Sequence, residues 1–270
     1  ETSILAFSTF YHKICHTATT MLPFQDAPRS RAGQSCLRML YSQKNNAGGD
    51  GVELRELLGI RPGVTALAGG GGKTTMMYTL ARELAAQRTV ICTTTTHILP
   101  PDHLPVLERV DREALERARC ICAGRPAAGG KLASPEQSIG ELASLADYVL
   151  VEADGSRGLP VKAHLPHEPV IPEEAGLTVV LAGASGFGRP VQEAVHRWER
   201  FCQLTGAAPE APVTAEHLAA ALAAEGFGDL IFVNQAETPE ELAEARHLAA
   251  LLDRPVFAGA LKGGFWECLS

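Results

Sequence analysis

Residues 69–75 read Gly69-Gly70-Gly71-Gly72-Lys73-Thr74-Thr75, and no other string in the chain restricts its fold as tightly. Glycines without a Cβ take up positive φ and let backbone N–H groups close on an anion. The lysine adds a point charge for terminal phosphate oxygens, and the first threonine hydroxyl suits Mg²⁺. Such a loop works where a strand ends and a helix begins, because the helix N-terminus presents unsatisfied N–H groups. Both flanks comply. Val64–Ala68 is an apolar run, and Met77, Leu80, Ala81 and Leu84 recur at helical spacing. A flexible glycine linker predicts neither flank.

The string departs from the Walker A pattern G-x-x-x-x-G-K-[ST], which puts its first glycine where Leu67 stands. The shorter x-G-x-x-G-K-T form that remains resembles the loop of Mur-type amide ligases and of some metal-insertion NTPases. Gly69, Gly70, Gly71, Gly72, Lys73, Thr74 and Thr75 are therefore expected on phosphates, with the class of NTPase left open.

Beyond the loop, apolar strands alternate with helices. Strands are expected at 89–93, 119–123, 148–151, 177–181, 230–233 and 255–258. Helices are expected at 52–58, from the loop to about 86, and at 135–146, 191–204, 214–224 and 239–252, with a Gly/Ala/Pro-rich loop at 124–134. This alternation predicts an α/β fold, a P-loop NTPase-like three-layer sandwich with a mostly parallel sheet and helices on both faces. Ligands of such sheets gather at the carboxyl ends of the strands. Residues 1–50 show neither a 3.6 nor a 2.0 period, so they read as a poorly ordered N-terminal extension preceding one domain over 51–270.

A net charge of −7 argues against a general nucleic-acid or anionic-membrane binder. No stretch approaches the eighteen or so apolar residues of a membrane span, and the N-terminus makes a poor secretory signal. Seven cysteines, an odd number, beside an NTP loop point to reduced thiols and a cytoplasmic protein. Cys120 and Cys122 alternate on an apolar strand and read as core.

Three further strand ends carry chemistry. Val149–Val151 leads to Glu152 and Asp154, which lie two apart and so share one face of an extended chain. With Thr74 they form the expected metal set, and a solvated Asp-Gly turn is the alternative. Arg157 and Lys162 follow as candidates to stabilise a transferring phosphoryl group, completing a catalytic set of Lys73, Asp154, Arg157 and Lys162. His164 and His167 with Glu168 fit no standard metal spacing. The run Thr93-Thr94-Thr95-Thr96 offers hydroxyls at the end of the second strand. Asn234-Gln235-Ala236-Glu237 is a loose version of a guanine-reading element, giving Asn234 and Glu237 as nucleotide contacts.

The glycine loop, the run Thr93–Thr96 with His97, the strings Glu152-Ala153-Asp154-Gly155-Ser156-Arg157 and His167-Glu168-Pro169-Val170-Ile171-Pro172, Val195-His196-Arg197 and Val233-Asn234-Gln235 together resemble the YqeC family. Its members are described as selenium cofactor biosynthesis proteins and accessory proteins of selenium-dependent hydroxylases. The resemblance spans roughly residues 52–262. It implies a nucleotide-binding accessory protein that assists maturation of selenium-dependent molybdenum hydroxylases, with that enzyme or its cofactor as partner. It also implies a family-specific site at Thr95, Thr96, Lys162, His167, Glu168, His196 and Arg197. The expected cofactors are Mg²⁺ and ATP or GTP, and related switch NTPases suggest a homodimer. Three activities fit: Mg²⁺-dependent NTP hydrolysis or phosphoryl transfer, a nucleotide-gated switch or delivery chaperone with little turnover, and a Mur-like ATP-dependent ligase.

Overall fold

The structure, a computed structural model, describes residues 52–270. The expectation of a poorly ordered extension at 1–50 lies outside the described residues. The short helix α1 (Leu54–Leu57) precedes β1 (Gly63–Gly69), and the glycine loop delivers the chain into α2 (Lys73–Ala85), whose N-cap is Gly72. Met76, Met77, Leu80, Ala81 and Leu84 are buried along one stripe of α2, and each large side chain so buried stabilises the fold by about 1.5–3 kcal/mol. Next come β2 (Val90–Thr94), β3 (His97–Ile98), β4 (Val106–Leu107), α3 (Arg112–Arg117) and β5 (Cys120–Ala123). A small hairpin, β6 (Arg125–Ala127) and β7 (Lys131–Ala133), leads to α4 (Ile139–Leu145) and β8 (Tyr148–Glu152). Ser138 and Glu141 close a capping box at the start of α4.

The second half contains β9 (Val161–Lys162), β10 (Ala175–Gly183), α5 (Val191–Ala194), β11 (Val195–His196), α6 (Trp198–Thr205) and α7 (Ala215–Glu225). It closes with β12 (Leu230–Asn234), α8 (Pro239–Leu251), β13 (Val256–Ala260) and β14 (Phe265–Cys268). Thr238 and Glu241 cap α8, with Pro239 in its first turn, where a missing N–H costs nothing.

Among the described residues the main sheet has nine strands in the order β14-β13-β12-β10-β1-β8-β2-β5-β4. Every pairing is parallel except β13 with β14. Side-chain alternation splits the core across the sheet. On one face α1 and α2 pack over Leu67, Cys92, Leu150, Val179, Leu181 and Phe232. On the other, α3 and α4 cover Ile91, Ile121, Val149 and Val151, and α5 to α8 cover Val180, Ala182, Ile231 and Val233. The α/β class and the mostly parallel sheet with helices on both faces are therefore as expected. Trp266 of β14 donates its indole N–H to the Val52 carbonyl (2.6 Å), tying the edge strand to the start of the described chain.

Several expected elements differ. The loop expected at 124–134 is the β6–β7 hairpin, which pairs with β3 in a separate three-stranded sheet. The helix expected at 191–204 is two short helices separated by β11 and by Arg197 at φ 67°, a backbone state no helix interior accepts. The helix at 135–146 contracts to Ile139–Leu145, and the strand at 177–181 extends to Ala175–Gly183. Cys122 is buried and Cys120 half-buried on the helix α2 side of the sheet.

Candidate functional site

β1 lies between β8 and β10, so its carboxyl end opens onto those of both neighbours. Leu67 stands opposite Glu152, and Thr94 is opposite Glu152 from the other side. The loop that leaves β1 is enclosed by backbone. A Cβ on Gly69 would lie 2.2 Å from the Leu181 carbonyl oxygen, on Gly70 2.6 Å from that of Pro160, and on Gly71 2.3 Å from the Gly183 nitrogen. On Gly72 it would meet the Asn234 amide at 2.4 Å. Gly69, Gly71 and Gly72 also hold φ at 95°, 74° and 121°, a region that favours glycine. Sterics and conformation thus demand this composition together.

Three loop amides are spent inside the protein. Gly69 donates to Asp154 Oδ2 (3.0 Å), Gly70 to Leu181 O (2.9 Å) and Gly71 to Leu159 O (3.2 Å). The donors left to face an anion are those of the first turn of α2, which have no intrahelical acceptor. Lys73 is folded back under the loop and almost fully buried. Its Nζ donates to the Gly69 carbonyl at 2.6 Å and lies 3.0 Å from Asp154 Oδ1, an ion pair off the hydrogen-bond axis. Glu152 Oε1 is 4.0 Å away.

Asp154 is the centre of a buried charge network. Its Oδ2 faces His164 Nε2 at 2.7 Å and Lys162 Nζ at 3.3 Å. Burial pushes the Asp154 carboxyl up, but the His164 hydrogen bond and the charges of Lys73 and Lys162 outweigh it and hold the group well below the usual carboxylate range. His164 is held from both sides. Its Nδ1 lies 2.8 Å from Glu225 Oε2, and its backbone N–H donates to Glu225 Oε1 at 2.6 Å. Two carboxylates on two ring nitrogens require both nitrogens to donate, which is the imidazolium form. Burial pulls the His164 pKa down, yet the hydrogen bonds to Asp154 and Glu225 raise it overall. Lys162 further donates to Gly155 O (2.8 Å) and pairs with Glu168 (3.3 Å), which in turn meets Arg197 Nη2 at 3.3 Å.

In front of this network opens a cavity of about 700 Å³. Its lining includes Gly71 to Thr75, Glu152, the 155–158 turn, Asn234, Gln235, Glu237, Leu261 and Lys262. Thr74 Oγ1 donates to Glu152 Oε2 at 2.8 Å, which places a hydroxyl and a carboxylate side by side on the cavity wall. Burial raises the Glu152 pKa, with Lys73 and Thr74 working against it.

The expected site residues therefore divide. Gly71, Gly72, Lys73, Thr74, Thr75, Glu152, Arg157, Asn234 and Glu237 reach the cavity. Asp154 and Lys162 stand behind its wall, occupied with each other and with buried partners. Asn234 is a clip: its amide donates to Gly71 O (2.6 Å) and its carbonyl oxygen accepts from Leu261 N (3.0 Å). The threonine hydroxyls are engaged within the protein. Thr93 donates to Ala123 O, Thr94 to Glu152 O and Thr95 to Val170 O, and Thr96 lies 3.3 Å from the Thr94 hydroxyl. His167 is exposed, while Glu168, His196 and Arg197 gather around Lys162. Among the described residues no group of three or more His, Cys, Asp or Glu side chains is arranged to hold a metal ion. His164 as a network centre and Glu225 are the residues that local reading misses, since the pair lies 61 positions apart.

Fold and site together define an α/β protein whose central parallel strand runs into a sterically enforced glycine loop, at a cavity with a buried lysine. Within that class, the chain belongs to the YqeC family. The family described as "YqeC protein" matches residues 65–199, a span holding the loop and the Asp154 network as far as Arg197 but not Glu225 or Asn234. The chain is also 36% identical over 172 residues to "Uncharacterized protein YqeC" of Escherichia coli (strain K12), covering 59% of this chain and 67% of that protein. Among the described residues, no helix is long and apolar enough to cross a membrane.

Proposed function

We propose that this protein is a P-loop NTPase-like protein that binds a nucleoside triphosphate with Mg²⁺ in the 700 Å³ cavity and hydrolyses it or transfers its terminal phosphoryl group. One observation carries the reading: four successive glycines, each closed in where a Cβ has no room, directly before the N-terminus of a 13-residue helix that begins with Lys73. The first-turn amides of α2 bind phosphate oxygens, and Lys73 exchanges Asp154 for the β- and γ-phosphates. The Thr74 hydroxyl and the Glu152 carboxylate are hard oxygen donors 2.8 Å apart on the cavity wall, a set that fits Mg²⁺. Bound there, the ion neutralises charge on the phosphates. Arg157, exposed on the rim, stabilises charge that develops on the transferred group. Asp154 and Lys162 act from behind, holding the loop and the lysine in register. Glu237 and Lys262, which also line the cavity, contact the base.

Family membership, with the resemblance to selenium-hydroxylase accessory proteins, supports a cytoplasmic role in maturing a selenium-dependent molybdenum hydroxylase. The inward-turned Lys73 and the three internally bonded loop amides favour one alternative activity, a nucleotide-gated switch whose resting loop a phosphate must displace. Titration of the full chain with fluorescent ATP and GTP analogues, with and without Mg²⁺, tests the reading alongside steady-state hydrolysis. Mg²⁺-dependent binding that Lys73→Ala abolishes supports it, and wild-type affinity in Lys73→Ala overturns it. Hydrolysis that appears only with a hydroxylase apoenzyme selects the switch.

A further inference from the structure

A second concentration of charge lies beside the cavity. β9 and β11 form a two-stranded parallel ladder away from the main sheet, with Lys162 in register with His196. The Ala163 N–H bonds the His196 carbonyl at 3.0 Å and locks this pairing. Lys162, His196 and Arg197 thereby surround one carboxylate, Glu168, whose two oxygens lie 3.3 Å from Lys162 Nζ and 3.3 Å from Arg197 Nη2. Lys162 shares its charge with Asp154 as well. Burial, joined by the positive fields of Lys162, Arg197 and Arg157 and opposed by Glu168, pushes the His196 imidazole below its ordinary pKa.

Arg197 is not saturated. A guanidinium has five N–H donors, and its enclosed Nε–H has no hydrogen-bond partner among the described residues. The backbone gives an independent sign. Among the described residues, the non-glycine residues with positive φ are Arg157 (52°), Arg197 (67°) and Gln235 (62°). Two are the arginines of this cluster, and Arg157 and Gln235 both line the cavity. Glycine would relieve the strain at each position, and strain of this kind collects where a side chain is held for a ligand.

We propose that Arg157, His196 and Arg197 form an oxyanion site for the second reactant, taking its carboxylate or phosphate-like group. Arginine forks match both groups bidentately. Arg157 lines the cavity rim and its charge reaches His196, so an anion held between them would lie near whatever the glycine loop binds. That neighbour's being a nucleotide rests on the function proposed above, whereas the anion site stands on its own residues.

The test is calorimetric titration of the full chain with inorganic phosphate and, separately, with acetate, in the presence of a saturating Mg²⁺ complex of a non-hydrolysable ATP or GTP analogue. Arg197→Gln is expected to weaken anion binding tenfold or more and to leave nucleotide affinity within twofold. Arg197→Lys, which keeps the charge and loses the fork, recovers part of the loss. Arg157→Gln changes an exposed side chain and, titrated without nucleotide because Arg157 also faces the proposed phosphoryl group, decides the matter if circular dichroism shows Arg197→Gln misfolded. Tighter phosphate than acetate assigns a phosphate-like group, and the reverse assigns a carboxylate. No anion binding by the wild type, or equal affinity in wild type and both arginine-to-glutamine variants, overturns the proposal. So does loss of anion binding in Lys73→Ala when both proteins are titrated without nucleotide, because the anion then sits on the loop. If the wild type binds no nucleotide, the nucleotide reading fails, and the same titrations without nucleotide still decide the anion site.

Discussion

Gly71→Ala separates two costs that a glycine loop conceals. An L-residue at φ 74° loses about 1–2 kcal/mol to left-handed strain. The new methyl would also lie 2.3 Å from the Gly183 nitrogen and 2.5 Å from its Cα. Both are backbone atoms at the end of β10, so no side chain can swing aside, and overpacking of this sort costs about 1–3 kcal/mol more. The sum, about 2–5 kcal/mol from the same two terms, is a large share of a typical 5–15 kcal/mol stability. Gly129→Ala is the control: φ there is 71°, and nothing lies within 4 Å of the added Cβ, so only the strain of about 1–2 kcal/mol applies. Urea unfolding of both variants, compared at equal m-value, is expected to place Gly71→Ala about 1–3 kcal/mol below Gly129→Ala. Equal losses would refute the claim that backbone enclosure fixes the loop's composition.

Three further outcomes follow from the network behind the loop. His164→Ala leaves Asp154 and Glu225 short of a buried partner and is expected to cost about 3–5 kcal/mol; adding Glu225→Ala should cost less than the sum of the two single changes, which a denaturation cycle reads directly. Asn234→Ala removes partners from Gly71 O and Leu261 N, costing about 1–3 kcal/mol and speeding amide exchange over 71–75. The folded Asp154 carboxyl lies below its unfolded value of about 3.9, so its contribution is present above that pH and is lost as pH falls through the folded value. His164 shifts the opposite way: its contribution is complete below about pH 6.5 and is lost as pH rises through its folded pKa. Urea midpoints stepped across pH should show both limbs, with Asp154→Asn flattening the acid one and His164→Gln the alkaline one.

The sequence was most informative where a local rule dominates. Apolar runs such as Tyr148–Glu152 and Leu230–Asn234 became buried parallel strands, and the glycine loop fell between a strand and a helix. Two-residue strands such as β9 and β11 carry no periodicity to detect, so the ladder that positions Lys162 and His196 was invisible. The helix expected at 191–204 is interrupted by β11 and by Arg197 at φ 67°, a backbone state that no side-chain period announces. Asp154 is expected on a metal because it shares one face with Glu152 at the end of an apolar strand. Its buried position among Lys73, Lys162 and His164 depends on residues up to 81 positions away, and Glu225 enters only through α7. The threonine run shows the converse. All four hydroxyls look available for chemistry, but the buried ones of Thr93 and Thr94 must bond something, and backbone carbonyls of neighbouring strands are nearest.

The antiparallel strand at the rim of the sheet has a practical consequence. β13 is a five-residue strand with every residue buried, the sort of flat apolar edge that recruits other chains when uncovered. β14 covers it with four residues running the opposite way, and the Trp266 indole fastens that cover to Val52 across the molecule. The opposite rim ends in β4, only two residues long. Nine strands thus offer solvent little length on which a foreign strand could nucleate. Trimming the chain after residue 262, or loosening Val52, would turn a discreet border into an adhesive one.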